Sequence, residues 1–170
     1  NDNTVDIFPF SKRFDLIYIC SPNNPTGAVY SLEEIKAIAK VCEDAGIYVI
    51  SDEIYEKLIY SGEKHYSIAS VSDYMKEHTI VINGMSKSYA MTGWRIGYLA
   101  APVPIAKAIS SMQSHTTSNA CSIAQYASVT ALEGGADFIE KMQKTFDERR
   151  QYMHSRLSAI KGITCSEPKG

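Results

Sequence analysis

Short apolar runs alternate with amphipathic stretches along the first hundred residues of the chain. Such runs, bounded by turn residues and rich in β-branched and aromatic side chains, predict buried strands. The four runs span residues 14–20, 47–51, 79–83 and 97–101. Between the first two, apolar residues recur at helical spacing from Ile35 to Cys42, after a Ser31–Glu34 capping box and before Gly46. This pattern predicts a helix between the first two strands.

The chain beyond residue 104 has a helical periodicity. It predicts helices near residues 105–114, 122–133 and 137–160, after a shorter helical stretch around 70–76. The last helix is long and heavily charged, and its apolar residues predict a buried stripe. That stripe comprises Phe138, Met142, Phe146, Met153 and Leu157.

Strand–helix alternation favours an α/β fold, in which right-handed crossovers join the parallel strands of a sheet. Ligands bind such sheets at the carboxyl ends of the strands. Asn24 follows the first predicted strand, Asp52 directly follows the second, and Lys87 follows the third. The topology alone therefore predicts that an amide, a carboxylate and an amine converge at one edge of the sheet.

Composition and charge narrow the class of protein. The 170 residues suffice for one domain or a large part of one, and 45% hydrophobic and 21% charged residues are typical of globular proteins. A net charge of -2 argues against a dedicated nucleic-acid binder, and no apolar run is long enough for a membrane span. The four cysteines and four histidines have no zinc-module spacing. We therefore predict no metal site, and reduced thiols in a cytoplasmic protein.

The surroundings of Lys87 suit a ligand that carries a phosphate. Ser86 precedes the lysine and Arg95 lies eight positions on. A desolvated lysine near other cations can form a Schiff base, and an arginine fork can bind two phosphate oxygens. The spacing of a nucleotide P-loop is absent around Lys87. Lys87, Asn24 and Asp52 each have a simpler interpretation when taken alone. Lys87 could be a surface lysine, Asn24 a turn residue, and Asp52 a cap of the segment that follows it.

Three segments together resemble one enzyme family. Residues 84–97 (GMSKSYAMTGWRIG) resemble the pyridoxal-phosphate attachment signature of the class I aminotransferases, which are fold-type I enzymes. SPNNPTG at 21–27 and SDEIY at 51–55 resemble two other motifs of that family, in the same order and at similar separations. The resemblance runs through the whole chain and is closest to the aspartate and aromatic aminotransferase branch.

The resemblance implies a role for each matched residue. Lys87 carries the cofactor, pyridoxal 5'-phosphate, through a Schiff base and then shuttles protons. Asp52 pairs with the protonated pyridine nitrogen, which lets the ring accept electrons from the substrate. Asn24 and Tyr55 form hydrogen bonds with the phenolic oxygen of the cofactor.

The resemblance also implies how the phosphate is bound. Arg95 contacts it, with Ser86 as a second contact. Many relatives have a serine three residues before the lysine, where this chain has Gly84. One phosphate contact is therefore either lost or supplied by Ser86.

The architecture that the resemblance implies is a three-layer α/β/α domain. It has about four adjacent strands with flanking helices, and the last strand is antiparallel to the others. Residues 1–170 are then the central part of a pyridoxal-phosphate-binding large domain, including the long interdomain helix near 137–160. The small domain and the N-terminal part of the large domain are expected to lie outside this chain.

The reaction expected of the parent protein is amino transfer between an amino acid and a 2-oxo acid, with an aspartate-like substrate as the first guess. The parent protein is expected to be a homodimer, because relatives are homodimers. The 170 residues alone are expected to be inactive, because relatives use further residues outside this region to bind the cofactor and the substrate.

Two other functions remain open on the sequence. One is a pyridoxal-phosphate-dependent carbon–sulfur lyase, although such relatives often have glycine where this chain has Thr26. The other is an aminotransferase-like sensor domain of a transcription regulator, which would need a helix-turn-helix domain encoded upstream. An α/β domain without a cofactor is difficult to reconcile with three motifs in register.

Overall fold

The computed structural model describes residues 15–170, which contain four strands, five α-helices and two short 3-10 helices. The strands are β1 (Leu16–Cys20), β2 (Tyr48–Asp52), β3 (Thr79–Gly84) and β4 (Gly97–Ala100). The helices are α1 (Leu32–Ala45), α2 (Asp73–His78), α3 (Val103–Thr116), α4 (Ser122–Gly134) and α5 (Ala136–Ser158). Every predicted element is present, with slightly shifted bounds. Phe14, predicted to begin the first strand, lies outside the described residues.

The four strands form one sheet in the order β1-β2-β3-β4. The first three are parallel, and β4 is antiparallel to β3. In this register Cys20 pairs with Asp52, and Asp52 pairs with Ile82. The predicted α/β fold class is confirmed, including the antiparallel last strand. The carboxyl ends of β1, β2 and β3 share one edge of the sheet, and β4 begins at that edge.

Helix α1 covers one face of this sheet, as its periodicity predicts. Ser31 and Glu34 form the predicted capping box, and Gly46 ends the helix with φ 70°, in the left-handed region that glycine tolerates best. The buried face of α1 consists of the four predicted residues from Ile35 to Cys42. This face packs in one core with Ile19 of β1 and Val49 of β2.

The opposite face of the sheet is largely uncovered by residues 15–170. Four large side chains that project from it are 37–57% exposed: Leu16, Tyr18, Tyr48 and Ile82. Helix α1 therefore covers one face of the sheet, and much of the opposite face near β1 and β2 is exposed among residues 15–170.

The predicted buried stripe of α5 is wrong in its rotation. Phe138, Met153 and Leu157 are 49%, 57% and 36% exposed, and only Met142 and Phe146 of that stripe are half-buried. The face of α5 that packs against the rest of the protein instead includes polar side chains, and these form hydrogen bonds with residues far away in the sequence. Its Gln143 donates to the Ile59 carbonyl at 2.6 Å, and Arg150 donates to Ser61 and Glu167. Within residues 15–170, the helices all lack the length or the apolar character that a bilayer crossing requires.

Gly84 and Gly97 face each other where β3 pairs with β4. A Cβ at Gly84 would lie 2.9 Å from Gly97 Cα and 3.1 Å from the Ile96 carbonyl oxygen. Backbone atoms at that distance cannot yield without moving a strand. This close approach is a physical reason for glycine at position 84.

Gly84→Ala is expected to destabilise the protein by about 1–3 kcal/mol, because the added methyl group overpacks two paired backbones. Gly93→Ala is the matched control, since a Cβ at Gly93 would meet nothing within 4 Å. Urea unfolding of the wild type and both variants measures the difference. Equal free energies of unfolding for the two variants would contradict the close approach.

Candidate functional site

The ends of the three parallel strands bring the predicted polar residues to one edge of the sheet. Asp52 is the last residue of β2, and its carbonyl oxygen accepts a hydrogen bond from Ser21 N at 3.2 Å. The next residue, Glu53, donates its N–H to the Ile82 carbonyl at 2.9 Å. These bonds extend the strand pairing beyond the sheet. They fix the loop after β1 and the turn after β2 relative to β3, which leads to Lys87.

The loop after β1 is shaped by Asn23 rather than by Asn24. The side-chain oxygen of Asn23 accepts from Thr26 Oγ1 at 2.8 Å, and its backbone bonds close the turn with Gly27 and Ala28. Asn24 instead projects across to the turn after β2, where its Nδ2 donates to the Tyr55 hydroxyl oxygen at 3.2 Å. The turn role that the sequence allowed for Asn24 is therefore performed by its neighbour.

Lys87 lies against the same tyrosine. Its Nζ is 5.5 Å from the centre of the Tyr55 ring, within the range of a cation–π contact. The lysine side chain is half-buried, in the segment that connects β3 to β4. Asn24, Tyr55 and Lys87 thus form one cluster, contributed by three different strand ends.

Asp52 is half-buried, and both of its carboxylate oxygens accept hydrogen bonds. Oδ1 accepts from Ile54 N at 3.1 Å, so Asp52 does cap the segment that follows it. Oδ2 accepts from the Tyr18 hydroxyl at 2.6 Å. Asp52 therefore caps the following segment with one oxygen and bonds a residue of the neighbouring strand with the other. Sequence reasoning missed Tyr18, although strand alternation places it on the same sheet face as Cys20, the partner of Asp52.

Arg95 and Ser86 lie on the same β3–β4 connection as Lys87, but they are not part of the cluster formed by Asn24, Tyr55 and Lys87. Arg95 is exposed, donates to the Thr92 carbonyl at 3.0 Å, and lines a separate cleft of about 720 Å³. Its backbone has φ 50° and ψ 52°, a left-handed conformation that costs a non-glycine residue roughly 1–2 kcal/mol. Ser86 is half-buried. Trp94, the neighbour of Arg95, is 47% exposed.

A buried carboxylate that sequence analysis did not single out stabilises the turn that carries Tyr55. Glu53 is 4% exposed and accepts hydrogen bonds from Ser51 at 2.9 Å and Ser67 at 2.6 Å, and it pairs with His65 at 2.8 Å. Burial raises the pKa of Glu53, but the hydrogen bonds from His65, Ser67 and Ser51 and the His65 charge outweigh it, so the net pKa is lowered. Glu56 lies near enough to complete a possible cation site, yet the Glu53 oxygens are already engaged by these partners. The group is best described as an internal hydrogen-bond network.

The Glu53 network predicts a loss of stability in acid. Because its pKa is lower in the folded than in the unfolded state, its contribution is present above the ordinary value of 4.5 and is lost as the pH falls through the lowered value. We expect the free energy of unfolding of the wild type to fall between about pH 5 and 3 more steeply than that of Glu53→Gln. Urea unfolding across this range measures the difference. Glu148→Gln, at an exposed carboxylate, is the control and should keep the wild-type slope.

The last residues of the chain pack against the loop after β1. The N–H groups of Lys169 and Gly170 donate to the Gly27 carbonyl at 2.7 and 3.0 Å, and the Lys169 carbonyl accepts from Tyr60 N at 2.8 Å. Pro168 and Gly170 thereby complete a cavity of about 350 Å³, which Asn24 and Tyr55 also line. No periodic signal in the sequence indicates this contact, because it joins segments far apart in the chain.

Comparison with known proteins explains why these residues meet. The sequence profile of the family described as aminotransferase class I and II matches residues 6–170. The chain belongs to this family. The resemblance seen in the three motifs is therefore confirmed, and the aminotransferase fold accounts for the order and direction of the four strands.

Individual aminotransferases agree with the family assignment. The aspartate aminotransferase of Geobacillus stearothermophilus is 49% identical over 160 residues, which are 94% of this chain and 41% of that protein. The structure of the aromatic aminotransferase from Pyrococcus horikoshii OT3 has a TM-score of 0.90 at 40% identity and covers 94% of this chain and 43% of its own. That of the aspartate aminotransferase from Thermus thermophilus with maleate has a TM-score of 0.88 at 39% identity, with 94% and 41% covered. The chain thus spans about two fifths of the length of these relatives.

Proposed function

We propose that the complete protein transfers an amino group between an amino acid and a 2-oxo acid, with pyridoxal 5'-phosphate as cofactor. The observation that carries this proposal is the cluster of Asn24, Tyr55 and Lys87 beside the turn that begins at Asp52. Membership in the aminotransferase family supports it. The names of the relatives give no support to the carbon–sulfur lyase or to the sensor domain.

The chemistry of these side chains fits the cofactor. Lys87 offers an amine for its carbonyl carbon, and Asp52 offers a carboxylate for a cationic ring nitrogen. The Asp52 oxygens have about four lone-pair positions between them, and two are used by Ile54 N and Tyr18, so acceptor capacity remains. Tyr55 accepts the Asn24 proton on its oxygen and therefore keeps its own hydrogen to donate. Donors for a phenolic oxygen, an acceptor for a cation and a nucleophile are thus all present.

In the proposed mechanism, each side chain binds or moves a defined group. When bound, pyridoxal phosphate supplies an electron sink for the negative charge that develops on the substrate Cα. Lys87 Nζ would hold the cofactor covalently and, as a free amine, would take the proton from the substrate Cα and pass it on rather than back to Cα, as amino transfer requires. Asp52 holds the proton on the ring nitrogen by its negative charge. Asn24 Nδ2 and the Tyr55 hydroxyl orient the ring through its phenolic oxygen.

The phosphate contacts of the proposal are Arg95 and Ser86. The left-handed backbone of Arg95 is the kind of strain that concentrates at ligand sites. A guanidinium can make two parallel bonds to a phosphate, whereas a serine hydroxyl makes one. Arg95 is therefore the main phosphate contact of the proposal, and Ser86 is the supplementary one.

Aspartate is the first substrate to test, because the relatives are named aspartate aminotransferases. The homodimer, the cytoplasmic location and the division into large and small domains stay predictions. The inactivity expected of the 170 residues alone also stays a prediction, which a turnover assay with added cofactor and amino acid would check.

Borohydride trapping tests the proposed function directly. The protein is incubated with pyridoxal phosphate, reduced, and digested for peptide mapping by mass spectrometry. We expect the added mass on Lys87. Label spread over exposed lysines such as Lys36 and Lys107, with none on Lys87, would contradict the proposal.

A further inference from the structure

The phenol of Tyr18 contacts the Asp52 carboxylate from the neighbouring strand. Tyr18 lies two residues before Cys20, which pairs with Asp52, so both side chains project from the same face of the sheet. The Tyr18 hydroxyl donates to Asp52 Oδ2 at 2.6 Å, a length typical of a hydroxyl bound to an ionised carboxylate. Tyr18 lies outside the three family motifs, the first of which begins at Ser21.

The two hydrogen bonds to Asp52 come from different directions. Ile54 N lies on the turn that follows Asp52 and bonds Oδ1, whereas Tyr18 lies on β1 and bonds Oδ2. Together they fix the rotation of the carboxylate group about its bond to Cβ. We infer that Tyr18 is a positioning residue that orients the Asp52 carboxylate toward the ring nitrogen of the cofactor, an inference that rests on the proposed function.

The electrostatics of the pair are consistent with this role. The hydrogen bond to Asp52, together with partial burial and the charges of Asp52 and Cys20, raises the pKa of Tyr18 from 10.0 to about 12. Tyr18 therefore remains a protonated donor throughout the neutral range. Because its side chain is 57% exposed, water screens the pair, and the effect of removing it is expected to be moderate.

A double-mutant cycle on cofactor affinity tests the inference. The dissociation constant of pyridoxal phosphate is measured by absorbance titration for the complete protein and for Tyr18→Phe, Asp52→Asn and the double variant. We expect Tyr18→Phe to weaken binding roughly 3- to 10-fold, as the loss of one hydrogen bond does, and to cause no further loss in the Asp52→Asn background. Tyr48→Phe is the matched control, on the same sheet face, and should bind like the wild type.

The outcomes separate the inference from the proposed function. An equal loss from Tyr18→Phe in both backgrounds, or no loss in either, would show that Tyr18 does not act through Asp52. Failure of the wild type to bind the cofactor at Lys87 would overturn the proposed function, and the role of Tyr18 with it. Thermal melting of each variant verifies that the fold is kept.

A second measurement needs no cofactor. In protein labelled with ¹³C at tyrosine Cζ, the Tyr18 signal is identified by its absence from Tyr18→Phe. At about pH 11 an ordinary exposed tyrosine is mostly ionised, but we expect the Tyr18 signal to remain that of the phenol. In Asp52→Asn the same signal should be that of the phenolate. Ionised Tyr18 in the wild type at this pH would contradict the pairing with Asp52.

Discussion

Lys87→Arg is expected to abolish amino transfer and to eliminate the borohydride-fixed label. Arginine keeps the positive charge near the Tyr55 ring, which lies 5.5 Å from the lysine nitrogen, but a guanidinium neither forms the Schiff base nor exchanges the Cα proton. General acid–base catalysis alone contributes about 10²–10⁴-fold, so we expect the turnover rate to fall by at least roughly 10³-fold. The measurement is the rate with aspartate and 2-oxoglutarate in the complete protein.

The control for Lys87→Arg is Lys36→Arg on the exposed side of α1, which should keep wild-type turnover. Melting curves of both variants exclude a folding defect. Turnover of Lys87→Arg within tenfold of the wild type would exclude Lys87 as the residue that carries the cofactor.

Asp52→Asn is expected to lower turnover by roughly 10²–10³-fold, which is typical for the loss of one preorganised charge-stabilising group. An asparagine oxygen can still accept the Ile54 N–H, so the turn that carries Tyr55 should persist. What is lost is the negative charge that holds the proton on the ring nitrogen. Steady-state kinetics in the complete protein measures this effect, as a fall in kcat with saturating substrate and cofactor.

Asp44→Asn is the matched control for Asp52→Asn. Asp44 is an exposed carboxylate on α1 that pairs with Lys40 one turn away, and such surface pairs contribute about 0–1 kcal/mol. We expect kcat of Asp44→Asn to equal that of the wild type. If Asp52→Asn also kept kcat within about threefold of wild type, the role of its charge would be disproved.

The local elements of this protein were predictable because they depend on residues close together in the chain. The capping box at Ser31, the left-handed end at Gly46 and the buried face of α1 follow from spacing over a few residues. The rule that parallel strands present their carboxyl ends at one edge predicted that Asn24, Asp52 and Lys87 would share a region of the sheet. Those statements needed only periodicity and topology.

The rotation of α5 could not be predicted in the same way. Its apolar residues suggested one buried stripe, but its inner face is set by polar partners that are distant in sequence. The Arg150 side chain is 8% exposed because it pairs with Asp147 and Glu167 and donates to Ser61. A buried guanidinium must be paired, and the location of those partners is a property of the folded chain.

The sequence by itself determined the family, the strand order and which side chains stand at the strand ends. Only the tertiary structure decided how those side chains connect: that Asn24 reaches Tyr55 while Asn23 shapes the turn, and that Tyr18 bonds Asp52. The physical reason is the separation along the sequence of the residues that interact. The strands and helices follow from local patterns and the strand order from the family resemblance. A hydrogen bond between residues 31 or 34 positions apart depends instead on the register of two strands and the path of a loop.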